Sequence, residues 1–290
     1  MSQSVFNRAV DFLYRNGRLL EKHLLAYHFF GKPQFPVLRS LHAYQNPDGG
    51  FGNALEPDKR FPGSTPIDVA TAFHILDEIN GFTDPMVLRA CDYLMTITTP
   101  DGGVPFTLPA VKTYPCAPWW MTDDPHPAAS INPTAEICGL LLKHQVEHAW
   151  LDKAIAYCWE NIDPEQGGFH DLMPAVTFLA HAPGPSKAEP ILDRIKEVII
   201  EKNLVAFDRK AGGYVQFPLD WAPTPSHPLR SIFSEQQIQD DLQFLRNSQQ
   251  EDGGWEINWE PVSTAVALEW RGIKTLKNLR ILQAYDHADG

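Results

Sequence analysis

The chain has 290 residues, 43% of them apolar and 21% charged, and its 24 Lys and Arg against 36 Asp and Glu give a formal net charge of −12. That balance argues against nucleic acid as a partner, because phosphate contacts need clustered basic residues. No apolar run approaches the roughly 20 residues of a membrane span, so no integral membrane segment is expected. The opening Met-Ser-Gln-Ser-Val-Phe-Asn-Arg has no apolar signal core with a cleavage site, so the cytoplasm is the expected location.

Apolar residues recur at helical spacing almost throughout, as in Val5, Phe6, Val10, Phe12 and Leu13, so the predicted elements are helices. Residues 3–30 read as a first helix pair. A helix at 34–45 is followed by Gly49-Gly50-Phe51, and helices at 66–80 and 85–98 lead to Gly102-Gly103-Val104. Helices at 132–146 and 149–162 precede Gly167-Gly168-Phe169, and those at 170–182 and 188–204 precede Gly212-Gly213-Tyr214. Pro218, Pro223, Pro225 and Pro228 then interrupt the pattern, so only a short or broken helix is expected there. Helices at 234–249 and 262–271 flank Gly253-Gly254-Trp255. The glycine pairs lie about 40 to 65 residues apart, the size of a helix pair with its loop, which marks an internal repeat. Glycine supplies the left-handed backbone that ends one helix, and a small polar residue caps the next.

The helices that start after each loop are richer in small residues, as in Val69-Ala70-Thr71-Ala72-Phe73 and Thr264-Ala265-Val266-Ala267-Leu268. They suit a crowded inner layer, and the helices ending at Gly-Gly an outer one. The expectation is one all-α domain over residues 1–290: an α/α toroid, a closed ring of five to six antiparallel inner and outer helix pairs. Cys91, Cys116, Cys138 and Cys158 lack paired spacing and read as reduced structural thiols.

The stretch Phe244-Leu245-Arg246-Asn247-Ser248-Gln249-Gln250-Glu251-Asp252-Gly253-Gly254-Trp255 resembles the QW motif of terpenoid cyclases. Leu41, Gln45, Gly49 and Phe51 hold the corresponding places in the first repeat, with Ser40 in place of the aromatic, and Tyr93-Leu94 and Gly102 do so in the second, with Thr98 in place of Gln. The resemblance to the terpenoid cyclase and protein prenyltransferase superfamily implies the toroid of squalene-hopene cyclases. It also implies carbocation chemistry on an isoprenoid, a small hydrophobic substrate.

The family's proton-donating Asp-x-Asp-Asp-Thr-Ala motif is matched in position by Ser130-Ile131-Asn132-Pro133-Thr134-Ala135, which keeps Thr-Ala and no carboxylate. Neither an Asp-Asp-x-x-Asp motif nor the Asp-x-Cys pair of the zinc prenyltransferases is present, so no metal and no cofactor are expected. The candidates left for acid chemistry are Glu56 and Asp58 beyond the first Gly-Gly, Asp68 at the start of the next inner helix, and His170-Asp171 at the third. Each could instead be a cap or a loop fastener. Trp119, Trp120, Trp221 and Trp259, with Asp123 and Asp124, are the substrate-binding candidates, since aromatic faces stabilise cations and line apolar pockets. Phe51, Phe169, Tyr214 and Trp255 are expected to pack between helices, and Lys59-Arg60 to balance surface charge.

Three functions stay open at this point. One is a terpene cyclase-like isomerase or lyase working with a homo-oligomeric or second subunit, and another is a toroid polysaccharide lyase or glycoside hydrolase. The third is a non-catalytic binding protein.

Overall fold

The computed structural model describes residues 2–208, 211 and 213–288 and is all-helical, with isolated bridges but no strand among the described residues. Gly212, half of the fourth glycine pair, lies outside them. The chain divides into two compact units, one spanning Leu38–Ile195 and the other joining Met1–Val37 to Lys196–Gly290. Among the described residues no helix is long and apolar enough to cross a membrane.

In chain order the helices are α1 (Gln3–Asn16), α2 (Leu19–Phe30), α3 (Phe35–His42), α4 (Pro66–Glu78), α5 (Met86–Ile97) and α6 (Ile131–Lys143). They continue with α7 (Ala149–Asn161), α8 (Phe169–Leu179), α9 (Pro185–Glu201), α10 (Pro218–Trp221), α11 (Glu235–Asn247) and α12 (Thr264–Ala288). The bounds follow the periodicity closely, and α10 is the short helix the prolines predict. The long exception is α12, which runs 25 residues instead of stopping near Gly272. Gly272 does not end the helix; a Cβ there would lie 3.4 Å from the Gly17 Cα, an ordinary contact with the α1–α2 turn.

In the middle unit, α4 packs on α6 and α6 on α8, while α5 packs on α7; the two rows are joined by α4–α5 and α6–α7 contacts. The first row is the small-residue group, and Gly139 shows why small residues are needed. A Cβ on Gly139 would lie 2.6 Å from the Thr177 backbone, so α6 and α8 approach with almost nothing between them. Cys91, Cys138 and Cys158 are buried free thiols in this packing, and Cys116 is a fourth in a loop.

The first, second and last glycine pairs dock turns on neighbouring helices, whereas Gly168 of the third is the N-cap of α8. Gly49 lies seven residues beyond the end of α3, in a turn that docks on the next outer helix. Its φ of +91° needs glycine, and a Cβ would also sit 2.2 Å from the Arg89 carbonyl oxygen of α5. Gly50 leans on the Tyr93 ring one helical turn later. Gln45 fastens the joint, its Nε2 donating to the carbonyls of Gly49 at 2.8 Å and Met86 at 2.9 Å.

The unit made from the two chain ends repeats this joint residue for residue. Gly253, with φ +93°, docks against the Arg8 carbonyl oxygen of α1, and Gly254 leans on the Phe12 ring. Gln249 Nε2 donates to the carbonyls of Gly253 and Val5, both at 2.9 Å. The last repeat therefore grips the first helix as the first repeat grips α5, and α12 packs on both α1 and α2.

Candidate functional site

Two groups of ionisable side chains lie in the middle unit, one around Asp68 and one around Glu136. The first is built by the loop after Gly50. Asn53 and Ala54 turn the chain with φ of +56° and +59°, a rare region for residues with a Cβ, and carry Glu56, Asp58 and Lys59 inward. Asp68, fully buried in the first turn of α4, accepts from the Glu56 backbone N–H at 2.9 Å and the Thr65 hydroxyl at 2.7 Å. Lys59 Nζ stands 2.8 Å from Asp68 Oδ2, 3.6 Å from Glu56 Oε2 and 5.3 Å from the centre of the Trp120 ring.

Lys59 is 1% exposed, which corrects the expectation that it balances charge at the surface. The Asp68 carboxylate explains the burial, since an interior ammonium needs a close counter-charge. Burial pushes the Glu56 carboxyl up to about 8 against the opposing pull of Lys59. Backbone bonds from Arg60 N to Pro115 O and from Ala117 N to Asp58 O, both 2.8 Å, tie this loop to the segment carrying Trp119 and Trp120.

The second cluster lines a cavity of about 210 Å³ where the N-terminal halves of α4, α6 and α8 meet. Ile67, Ala70, Phe169, Met173 and Pro174 give it apolar walls, and Glu136, His74, His170 and Asn132 add polar groups. Glu136 is the one carboxyl in that lining and is 7% exposed; its Oε1 lies 3.2 Å from Nε2 of the exposed His74. No well-aligned hydrogen bond reaches that oxygen among the described residues. Burial pushes the Glu136 carboxyl above its ordinary range, against the opposing effects of His74 and the Thr177 hydroxyl. Desolvation at the rim lowers His170, which Asp171 partly offsets. A carboxyl shifted upward in this way is better placed than an ordinary one to act as a general acid.

Of the catalytic and substrate-binding candidates from sequence, Glu56, Asp58, Asp68 and Trp120 come together in the first cluster, and His170 lines the cavity. Asp171 bonds back to the Gly168 backbone N–H at 3.3 Å, capping α8. Trp120 stacks on Phe106 at 4.7 Å, while Trp119 is exposed. Asp123 is exposed and pairs with Lys112, and the exposed Asp124 accepts from the His126 backbone N–H.

In the other unit Trp221 is fully buried, and Trp259 meets the Trp270 ring at 5.2 Å. Phe51 and Trp255 pack between helices as expected, but Phe169 lines the cavity and Tyr214 is 53% exposed. Glu136 and His74 escaped the sequence reading. The available signal was a lone carboxylate in the otherwise buried run Pro133-Thr134-Ala135-Glu136-Ile137-Cys138-Gly139, directly after the retained Thr-Ala. Among the described residues, no group of three or more His, Cys, Asp or Glu side chains is arranged to hold a metal ion.

No family model matches the sequence, and no curated protein matches it. A solved structure described as the crystal structure of a protein from Actinoplanes is similar with a TM-score of 0.60, over 97% of this chain and 99% of that one, at 16% identity. That likeness is one of fold alone.

Proposed function

We propose that the chain is an α/α toroid of the terpenoid cyclase and protein prenyltransferase type, acting on a small isoprenoid by acid-initiated chemistry in the cavity between α4, α6 and α8. The ring reading is supported inside each unit: α4, α6 and α8 form a row backed by α5 and α7, and the last glycine-pair turn grips α1 as the first grips α5.

One observation carries the functional reading: a single buried carboxyl, Glu136, in a pocket whose apolar walls from α4 and α8 are interrupted by Thr71, His74, Asn132 and His170. Apolar walls suit a prenyl chain, and the partial positive charge of the helix starts favours a donor that must become a carboxylate. Asp68 is less suited to the role, because Lys59, Thr65 and the Glu56 backbone already hold its two oxygens. Carbohydrate cleavage would use two carboxyls facing each other about 5 to 10 Å apart, and the lining holds one.

Incubation of the purified protein with prenyl compounds from C5 to C30, with and without Mg²⁺, tests the reading. Saturable binding and a new terpenoid product are expected. Neither with any of these compounds would remove it.

A further inference from the structure

The lining of the cavity restricts what kind of isoprenoid could react there. No Lys or Arg is among its lining residues, and Glu136 is. A diphosphate would bring several negative charges into a pocket whose cations are at most two imidazoles, facing a carboxyl that becomes negative when it acts. Diphosphate ionisation relies on Mg²⁺ or Lys and Arg clamps.

A hydrocarbon has the opposite defect. It offers no hydrogen-bonding group to Glu136 Oε1, a buried oxygen that no aligned hydrogen bond reaches among the described residues. Burial that raises a carboxyl also makes it a weaker acid, and an alkene carbon is a far poorer base than an alcohol oxygen. The matching ligand is apolar with one neutral oxygen. An apolar cavity of about 150 Å³ takes a benzene-sized guest, so about 210 Å³ suits one or two prenyl units.

Resting on the isoprenoid reading above, we propose that the cavity takes a short allylic prenyl alcohol and dehydrates it, with Glu136 as the proton donor to the hydroxyl. The proton moves from the Glu136 carboxyl to the hydroxyl oxygen, and the C–O bond breaks with its electron pair leaving on water. The allylic cation that remains lies against the apolar wall that includes the Phe169 ring, whose face stabilises positive charge. A neighbouring C–H bond then supplies the pair for a new C=C, and its proton returns to the Glu136 carboxylate directly or through His74 Nε2, 3.2 Å away. Alcohol becomes diene plus water with no change in oxidation state. His74, exposed at the rim, links the buried acid to solvent.

The test sets dimethylallyl alcohol and geraniol against their diphosphates and against hydrocarbons of equal length, following binding by calorimetry and volatile dienes by gas chromatography. Diene and water from the alcohols alone are expected, with Glu136→Gln slowing turnover at least about 100-fold while alcohol still binds. Met173→Trp, which fills the cavity from α8, is expected to abolish both binding and turnover, and keeps the test decisive if the Gln variant fails to fold. Turnover of a diphosphate or a hydrocarbon but not of the alcohols would overturn the alcohol proposal and leave the isoprenoid reading standing. Unchanged turnover in Glu136→Gln or in Met173→Trp would also overturn it. Failure of every prenyl compound to bind or react would remove both.

Discussion

The loop cluster at residues 53–60 and the cavity between α4, α6 and α8 bury a glutamate equally, Glu56 and Glu136 each being 7% exposed, yet they surround it differently. Around Glu56 the neighbours are Lys59, Asp58, Asp68 and the Trp120 ring, all interlocked and fastening a loop to the start of a helix. Around Glu136 the neighbours are apolar walls, one imidazole and open volume. In both places burial raises the carboxyl, so the shift does not distinguish a structural acid from a reactive one. An oxygen of each, Glu56 Oε2 and Glu136 Oε1, is reached by no well-aligned hydrogen bond among the described residues, so what separates them is that Glu136 borders a space a substrate can enter and Glu56 is enclosed by charged neighbours.

Removing the counter-charge is the harshest way to probe that contrast. Lys59→Met leaves Asp68 buried beside Glu56 and Asp58 without its ammonium, and stability should fall by about 3–5 kcal/mol, read from urea unfolding. A loss below about 1 kcal/mol would mean that the pair does not hold the loop. Next in size is Glu136→Gln, a neutral near-isostere expected to keep the melting temperature of the parent while turnover of a prenyl substrate drops at least about 100-fold, or roughly 2.7 kcal/mol. Collapse of stability together with activity would place Glu136 with the structural acids.

Glu56→Gln gives a smaller effect that depends on pH. The folded carboxyl titrates near 8, against an ordinary 4.5, so between those values the native protein holds a proton that the unfolded chain has released. Glu56 thus favours folding fully below pH 4.5, and that contribution is lost as the pH rises to 8. The Gln variant lacks this slope, so its stability should match the parent's near pH 4.5 and rise progressively above it toward pH 8. Thermal melts at several pH values would show it. A difference that does not change with pH would contradict the raised titration.

Much of the helical plan was legible because period and punctuation coincide: Pro66 after Thr65 opens α4, and the proline cluster after Gly213 leaves only the four residues of α10. The glycine pairs were legible as a repeat, but not in their purpose. For the first and last pairs the reason is the carbonyl of Arg89 or Arg8, on a helix distant in sequence, a contact that local propensity does not encode. Lys59 was misread for the same reason, since its counter-charge Asp68 lies on the next helix, across a loop. Glu136 went unseen because attention fell on the motif position Ser130–Ala135, whereas the carboxyl that meets the cavity stands one residue later, and only the packing of α4 and α8 shows which face of α6 is open.

The joints offer a finer test. Gln45→Ala and Gln249→Ala each remove a side chain whose amide donates to two carbonyls, and each should cost about 1–2 kcal/mol. Because Gln249 ties the last turn to α1, its loss should raise hydrogen exchange at the N-terminal helix, whereas loss of Gln45 should act on the start of α5.

The smallest effect concerns Asp171, which sits one residue from the cavity lining yet spends its carboxylate on the Gly168 N–H. Asp171→Ala should cost about 1 kcal/mol as a lost cap and leave turnover unchanged within a few fold. It should also lower the His170 titration further, since the Asp171 charge is what partly offsets desolvation of that ring. Proton NMR of the histidine resonances reads this directly. A large loss of activity without the downward His170 shift would mean that Asp171 contacts substrate, and that the boundary between fastening and reactive carboxyls runs through α8 rather than around it.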